Sequence, residues 1–195
     1  MAEDRKLGRT RLLVIGGSAG SLEVIIQLVP ELPLRLPFAV IIVVHRKNGD
    51  SVLTELLAEK ASVPVKEVEE KEDILAGTIY IAPADYHLLV EKNRTLSLDF
   101  SEKLHYSRPG IDATFETAAE AYGPELACIL LSGANADGTE GLKLVKEMGG
   151  LTIVQDPTEA AVSYMPQQAV EQVAVDHVVN TKALIALVQQ LAAVS

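Results

Sequence analysis

The stretch Leu12-Leu13-Val14-Ile15-Gly16-Gly17-Ser18-Ala19-Gly20-Ser21, followed by the helical spacing of Leu22 to Val29, decides the fold. Four apolar residues read as a buried strand, and the glycine-rich turn hands the chain directly to a helix. The same alternation continues outward. Phe38 to Val44, Thr78 to Ile81, Ala127 to Leu131 and Leu151 to Val154 read as further buried strands. Val52 to Lys60, Ala113 to Tyr122, Leu142 to Met148, Gln167 to Gln172 and Lys182 to Ala193 carry helical spacing. Short apolar strands separated by helices are joined by right-handed crossovers. The expected fold class is therefore α/β: a doubly wound, mainly parallel sheet with helices on both faces. Tyr86 to Glu91 and Thr95 to Phe100 alternate around Lys92-Asn93-Arg94, which predicts an antiparallel hairpin at a sheet edge. Asp112, after Pro109-Gly110, is expected to cap the helix that starts at Ala113.

Composition narrows the function. With 195 residues, 48% of them hydrophobic, the chain is long enough for one domain, taken as residues 12–195 after a charged segment 1–11. Lys and Arg number 17 against 27 Asp and Glu, a net charge of -10 without a basic run, so nucleic-acid binding is not expected. The single cysteine, Cys128, lies in an apolar run and reads as a buried thiol. No signal peptide or membrane-spanning run is evident, which predicts a cytoplasmic protein without membrane insertion.

Gly16-Gly17-Ser18-Ala19-Gly20 matches G-x-S-x-G between a strand and a helix, the context of a serine nucleophile. The competing reading is a glycine-rich loop that turns the chain or holds an anion. Ser18 stands where a dinucleotide fingerprint needs its second glycine, and no Gly-Lys-Ser/Thr follows, so neither common nucleotide loop fits. His45 ends the apolar run Ala39 to Val44, and Asp137 follows Leu130-Leu131-Ser132-Gly133. Both then emerge at the carboxyl edge of the sheet, beside Ser18. Asp137 could instead simply cap the helix that follows it. Three strand ends supplying Ser, His and Asp nonetheless fit a triad, and their order differs from those of α/β-hydrolases, chymotrypsin and subtilisin.

At these residues the chain resembles the catalytic domain of the chemotaxis protein-glutamate methylesterases, commonly called CheB, from about Leu12 to about Val179. The resemblance is carried by Val14-Ile15-Gly16-Gly17-Ser18, Val43-Val44-His45, Gly77 to Pro83 with Asp85 and His87, Arg108-Pro109, Leu131-Ser132-Gly133 with Asp137-Gly138, Gln155-Asp156 and Met165-Pro166. It implies a parallel-sheet α/β fold and hydrolysis of γ-glutamyl methyl esters on the cytoplasmic helices of methyl-accepting chemoreceptors. Its catalytic serine, histidine and aspartate fall on Ser18, His45 and Asp137. Oxyanion donors are expected in the backbone N–H groups of Ala19 and Ala134, and substrate contacts at Arg46, Arg108 and Met165. Neither a metal nor an organic cofactor is expected.

Some positions depart from the family pattern. Ala19 replaces the usual threonine after the serine, and Ala134-Asn135 replaces a methionine and a glycine, changes expected to alter rate or specificity. Arg46 stands where methionine is frequent, and Ser107 where histidine precedes Arg108-Pro109. Many members carry an N-terminal phospho-receiver domain. Here only Met1 to Arg11 precede the first strand, so regulation is expected to come from a separate or fused partner. Amidase action on receptor glutamines is a competing activity, and a catalytically weak signalling or anion-binding flavodoxin-like module is the non-enzymatic alternative.

Overall fold

The computed structural model describes residues 9–46 and 52–194. Residues 1–8 of the expected charged segment lie outside them. The first strand, β1 (Leu12–Gly17), runs into helix α1 (Ser21–Leu28) through the glycine-rich turn and returns as β2 (Ala39–Val44). Helix α2 (Val52–Lys60) leads to β3 (Val65–Glu67) and β4 (Glu72–Asp73), and β5 (Ile79–Ile81) precedes the hairpin β6 (His87–Val90) and β7 (Thr95–Asp99). Helix α3 (Ile111–Tyr122) then returns the chain to β8 (Leu126–Leu130). The remainder alternates: α4 (Thr139–Glu147), β9 (Leu151–Gln155), α5 (Tyr164–Gln172), β10 (His177–Val179) and α6 (Thr181–Val194).

Seven strands form one sheet in the order β10-β9-β8-β1-β2-β5-β3, and every neighbouring pair is parallel. The chain starts in the middle, winds outward through β2, and later returns to the other side of β1 at β8. The crevice between β1 and β8 is thus the topological switch point, where open α/β sheets place their sites. Register makes the three central strands end flush. Gly16 pairs with both Val43 and Leu130, so Ser18, His45 and Leu131 leave the sheet at one level.

Alternation along each strand sorts the core into two layers. Leu13, Ile15, Val40, Ile42 and Ile129 meet Ile25 and Leu28 of α1, Leu57 of α2, and Leu184 and Val188 of α6. Leu12, Val14, Ile41, Val43 and Leu130 face the opposite way, onto Ile111 and Phe115 of α3, Leu142 and Val145 of α4, and Ala169 of α5. Helices on both faces confirm the doubly wound expectation. No helix among the described residues is long and apolar enough to cross a membrane.

Three differences from the sequence reading have local causes. The hairpin forms, but it pairs with β4 in a separate three-stranded antiparallel sheet and does not join the edge of the parallel one. Leu88, Val90 and Leu96 on its inner face pack into the layer that holds α3, which draws it onto the face of the fold. Second, Asp112 does not cap its own helix. Helix α3 begins at Ile111 with Gly110 as N-cap, which puts Asp112 in the first turn, where its side chain is buried. Third, β3, β4 and β10 were not anticipated. Strands of two or three residues, two of them made of Val-Lys-Glu and Glu-Asp, carry too little apolar periodicity to read.

Candidate active site

The turn after β1 is built for close approach. A Cβ at Gly16 would lie 2.5 Å from Ile111 Cγ2, and one at Gly17 would lie 2.4 Å from Ser21 Cβ, so the small residues let α3 and α1 close onto the strand end. The left-handed backbone falls on Gly20, with φ of 81°, and Ser18 keeps a negative φ. Ser18 is therefore presented by packing, not by strain at the serine itself. Its carbonyl accepts hydrogen bonds from Ser21 N–H (3.0 Å) and Ser21 Oγ (2.7 Å), and its own N–H donates to Ser132 O at 2.8 Å. The N–H of His45 donates to Gly17 O at 3.2 Å, tying the β2 exit to the same turn.

His45 and Asp137 meet across 92 positions of sequence: His45 Nε2 lies 2.6 Å from Asp137 Oδ2. The carboxylate is wholly buried. It does not cap α4, whose N-cap is Gly138 without a side-chain bond. Instead it serves the start of α3: Ile111 N–H donates to Oδ2 at 2.7 Å and Asp112 N–H to Oδ1 at 2.9 Å. Asp112 reciprocates by crossing to α4, where its Oδ1 accepts Gly141 N–H at 2.8 Å. Each helix start is thus held by a carboxylate from the other, satisfying N–H groups that have no partner within their own helix.

Burial alone would raise the Asp137 carboxyl. The His45 hydrogen bond and the N–H groups of Asp112 and Ile111 outweigh it and hold the group below the ordinary aspartate range. Asp137 therefore stays an anion suited to fix the imidazole and stabilise its protonated form. Asp112 goes the other way: desolvation first, and then the Asp137 charge, push it up to about 6. His105, Asp112 and Asp137 bring three possible ligand atoms within 4.8 Å of one another. Both Asp137 oxygens are already taken by protein donors, so hydrogen bonding and ion pairing account for this cluster without a metal.

A second buried knot steadies the serine turn. Ser132 Oγ donates to Ala19 O at 2.6 Å and accepts Val162 N–H at 2.8 Å, while Ser132 N–H donates to Gln155 Oε1 at 2.9 Å. Ser132 and Gln155 were visible as motif residues, but nothing in the sequence identified them as the anchors of the Ala19 peptide. The Ala19 N–H itself donates to no described residue, nor does that of Ala134, so both remain available to an oxyanion. Gly133 brings the Ala134 loop against the serine: a Cβ there would be 3.0 Å from Ser18 Cβ.

Ser18, Ala19, His45 and Arg46 line one cleft of about 370 Å³, together with Leu22, Val44, Val52, Leu53 and Leu56. The lining is mostly apolar, and among the described residues no hydrogen bond joins Ser18 Oγ to His45. Met165, expected to touch substrate, is fully buried instead. Its N–H donates to Gly133 O at 2.9 Å and its thioether packs under Gly133, so it supports the floor behind Ser18. Arg46 reaches the cleft, but its guanidinium is held by Glu67 Oε2 at 2.6 Å and Ala82 O at 3.0 Å. Arg108 lies 3.8 Å above the Phe100 ring and donates to Ser101 O at 2.7 Å, outside the cleft lining. Neither arginine presents a free cation to a substrate.

Comparison with known proteins is consistent with this geometry. A family model described as CheB methylesterase matches residues 13–188. Two proteins of Leptospira interrogans, each named putative protein-glutamate methylesterase/protein-glutamine glutaminase, are 43% identical over 169 residues, covering 86% of this chain and 88% of theirs. Protein-glutamate methylesterase/protein-glutamine glutaminase 1 of Carboxydothermus hydrogenoformans is 35% identical over 185 residues, covering 92% of this chain and 54% of that one. The chain thus spans most of the Leptospira proteins and about half of the longer relative. Among solved structures, the crystal structure of the Thermotoga maritima CheB methylesterase catalytic domain superposes with a TM-score of 0.87 at 32% identity, covering 92% of this chain and 98% of that one.

Proposed function

Because the chain belongs to the CheB methylesterase family, we propose that it hydrolyses γ-glutamyl methyl esters on the cytoplasmic helices of methyl-accepting chemoreceptors, with Ser18, His45 and Asp137 as its triad. The observation that carries this reading is the 2.6 Å contact of His45 with a buried Asp137 at the cleft that Ser18 lines. Asp137 takes Nε2, which leaves Nδ1 as the ring nitrogen available to the serine. Ser18 Oγ attacks the ester carbonyl as His45 Nδ1 takes its proton, and the oxyanion faces the N–H of Ala19 and of Ala134. The tetrahedral intermediate collapses, methoxide leaves with the proton from His45 as methanol, and a glutamyl-enzyme remains. Water then gives a proton to His45 and attacks the acyl carbon. Collapse of the second intermediate returns that proton to Ser18 and frees the glutamic acid, which gives water's second proton to solvent and becomes the carboxylate.

The apolar cleft suits a methyl ester flanked by aliphatic helix side chains. Glutamine hydrolysis by the same groups is a second activity, favoured by the dual names of the relatives. It needs His45 to protonate a poorer leaving group, ammonia. Action on such a substrate calls for a cytoplasmic protein, which is the localisation we propose. The test is methanol release from methylated receptor membranes: Ser18→Ala should reduce it on the order of 10⁵-fold. An unchanged rate sinks the triad. Fluorophosphonate labelling at Ser18, lost in His45→Ala, separates an active hydrolase from an anion-binding module.

A further inference from the structure

Behind the triad lies a second acid–imidazole pair that the mechanism above does not use. Asp112 Oδ2 is 3.3 Å from His105 Nε2, while its other oxygen holds Gly141 N–H at the start of α4. Its carboxylate comes within 4.8 Å of that of Asp137, the group that orients His45. The two pairs therefore adjoin, and the His105 ring comes within the same 4.8 Å of Asp137 as well. His105 is exposed, at the tip of a tight turn closed by Leu104 and Ser107, and its carbonyl accepts Asn135 Nδ2 at 3.3 Å. One side of the cluster thus meets solvent and the other meets the cleft that Ser18 and His45 line.

We infer that Asp112 is a positioning residue for hydrolysis, which holds Asp137 on His45 through the paired helix starts and whose charge, set behind that anion, tunes the pH dependence of Ser18 activation. The inference rests on the triad reading above. Two buried carboxylates this close disfavour double ionisation, and Asp112, being raised, is the one that yields. The facing groups divide in sign: His105 offsets the Asp112 charge only when protonated, and the acidic neighbours add to it. Asp137 faces Asp112 from the α4 approach and His105 from the turn. Glu116, one turn along α3, adds a like charge and is itself raised by burial and then by Glu140 of α4. His87, under Gly110, has both ring nitrogens engaged, by Gly110 N–H and Glu102 O.

The sign follows. Ionised Asp112 adds negative charge behind Asp137, which favours a positive charge on the far side of that anion, and neutral Asp112 removes it. Asp112→Asn keeps an oxygen for Gly141 N–H and mimics the neutral state at every pH. In this variant the rising limb of Ser18 labelling by a fluorophosphonate against pH should move down by roughly 0.5–1 pH unit. The plateau should fall by about two- to threefold as the base weakens. In wild type, the His45 ring signals in an NMR titration should carry a second inflection near the Asp112 transition, and Asp112→Asn should remove it.

A plateau that falls while the limb stays fixed would show a merely structural role and overturn the proposal. So would a single His45 inflection in wild type, a result that holds even if the variant does not fold. Wild-type labelling abolished by His45→Ala marks the triad reading as sound. A failure of the pH shift in that setting counts against Asp112 alone.

Discussion

The two faces of the central sheet handle burial in different ways. The face covered by α1, α2 and α6 is built from Leu, Ile, Val and Phe side chains, with Ile25, Leu28, Leu57, Leu184 and Val188 at its centre. The face covered by α3, α4 and α5 has an equally apolar layer, yet it also encloses Asp112, Thr114, Asp137 and His87. Removing charged groups from water is unfavourable unless each finds partners, and here they do. The first face holds the strands in place, and the second uses those strands to aim a carboxylate. Stability and chemistry are thereby assigned to opposite sides of one sheet.

Substitutions can break that division or sharpen it. Asp137→Asn should give the largest change, a loss of turnover on the order of 10⁴-fold with the fold retained, since the amide still offers an oxygen to the α3 start but no charge to His45. Asp137→Ala should lose the rate and also lower stability by about 3 kcal/mol, because two buried N–H groups lose their acceptor. Thermal melts and methanol release distinguish the two variants. Ile25→Ala, on the apolar face, should lower stability by about 2–5 kcal/mol with turnover per folded molecule unchanged. A turnover loss in Ile25→Ala would break the comparison. Ser132→Ala should be milder, roughly tenfold in rate, because it frees the Ala19 peptide and leaves Val162 N–H without its acceptor. If labelling of Ser18 is unimpaired in that variant, Ser132 is only a structural tie.

Much of this was legible in the sequence because buried parallel strands are continuous apolar runs. Leu12 to Ile15, Phe38 to Val44 and Ala127 to Leu131 marked the three central strands within two residues of where they run. Ser18, His45 and Asp137 were legible for the same reason, since each follows one of those runs on the carboxyl side. What stayed hidden depends on distance along the chain. Cap rules look two or three residues ahead, so Asp112 was assigned to its own helix, and the alternative for Asp137 was the helix beside it. In the structure each serves a helix 25 to 29 positions away, a pairing that only the packing of α3 on α4 creates. Burial of Met165 and engagement of Arg46 by Glu67 are likewise products of tertiary packing.

The exchange of carboxylates between α3 and α4 also has a consequence for failure. Neither helix start can fray alone, since loosening one withdraws the acceptor on which the other depends. A molecule in which this joint has opened has no anion behind His45, so under the proposed mechanism the serine loses its activation as the joint loses its shape. On that mechanism, damage or partial opening on this face yields a silent protein, not a loosely specific hydrolase acting on the wrong esters.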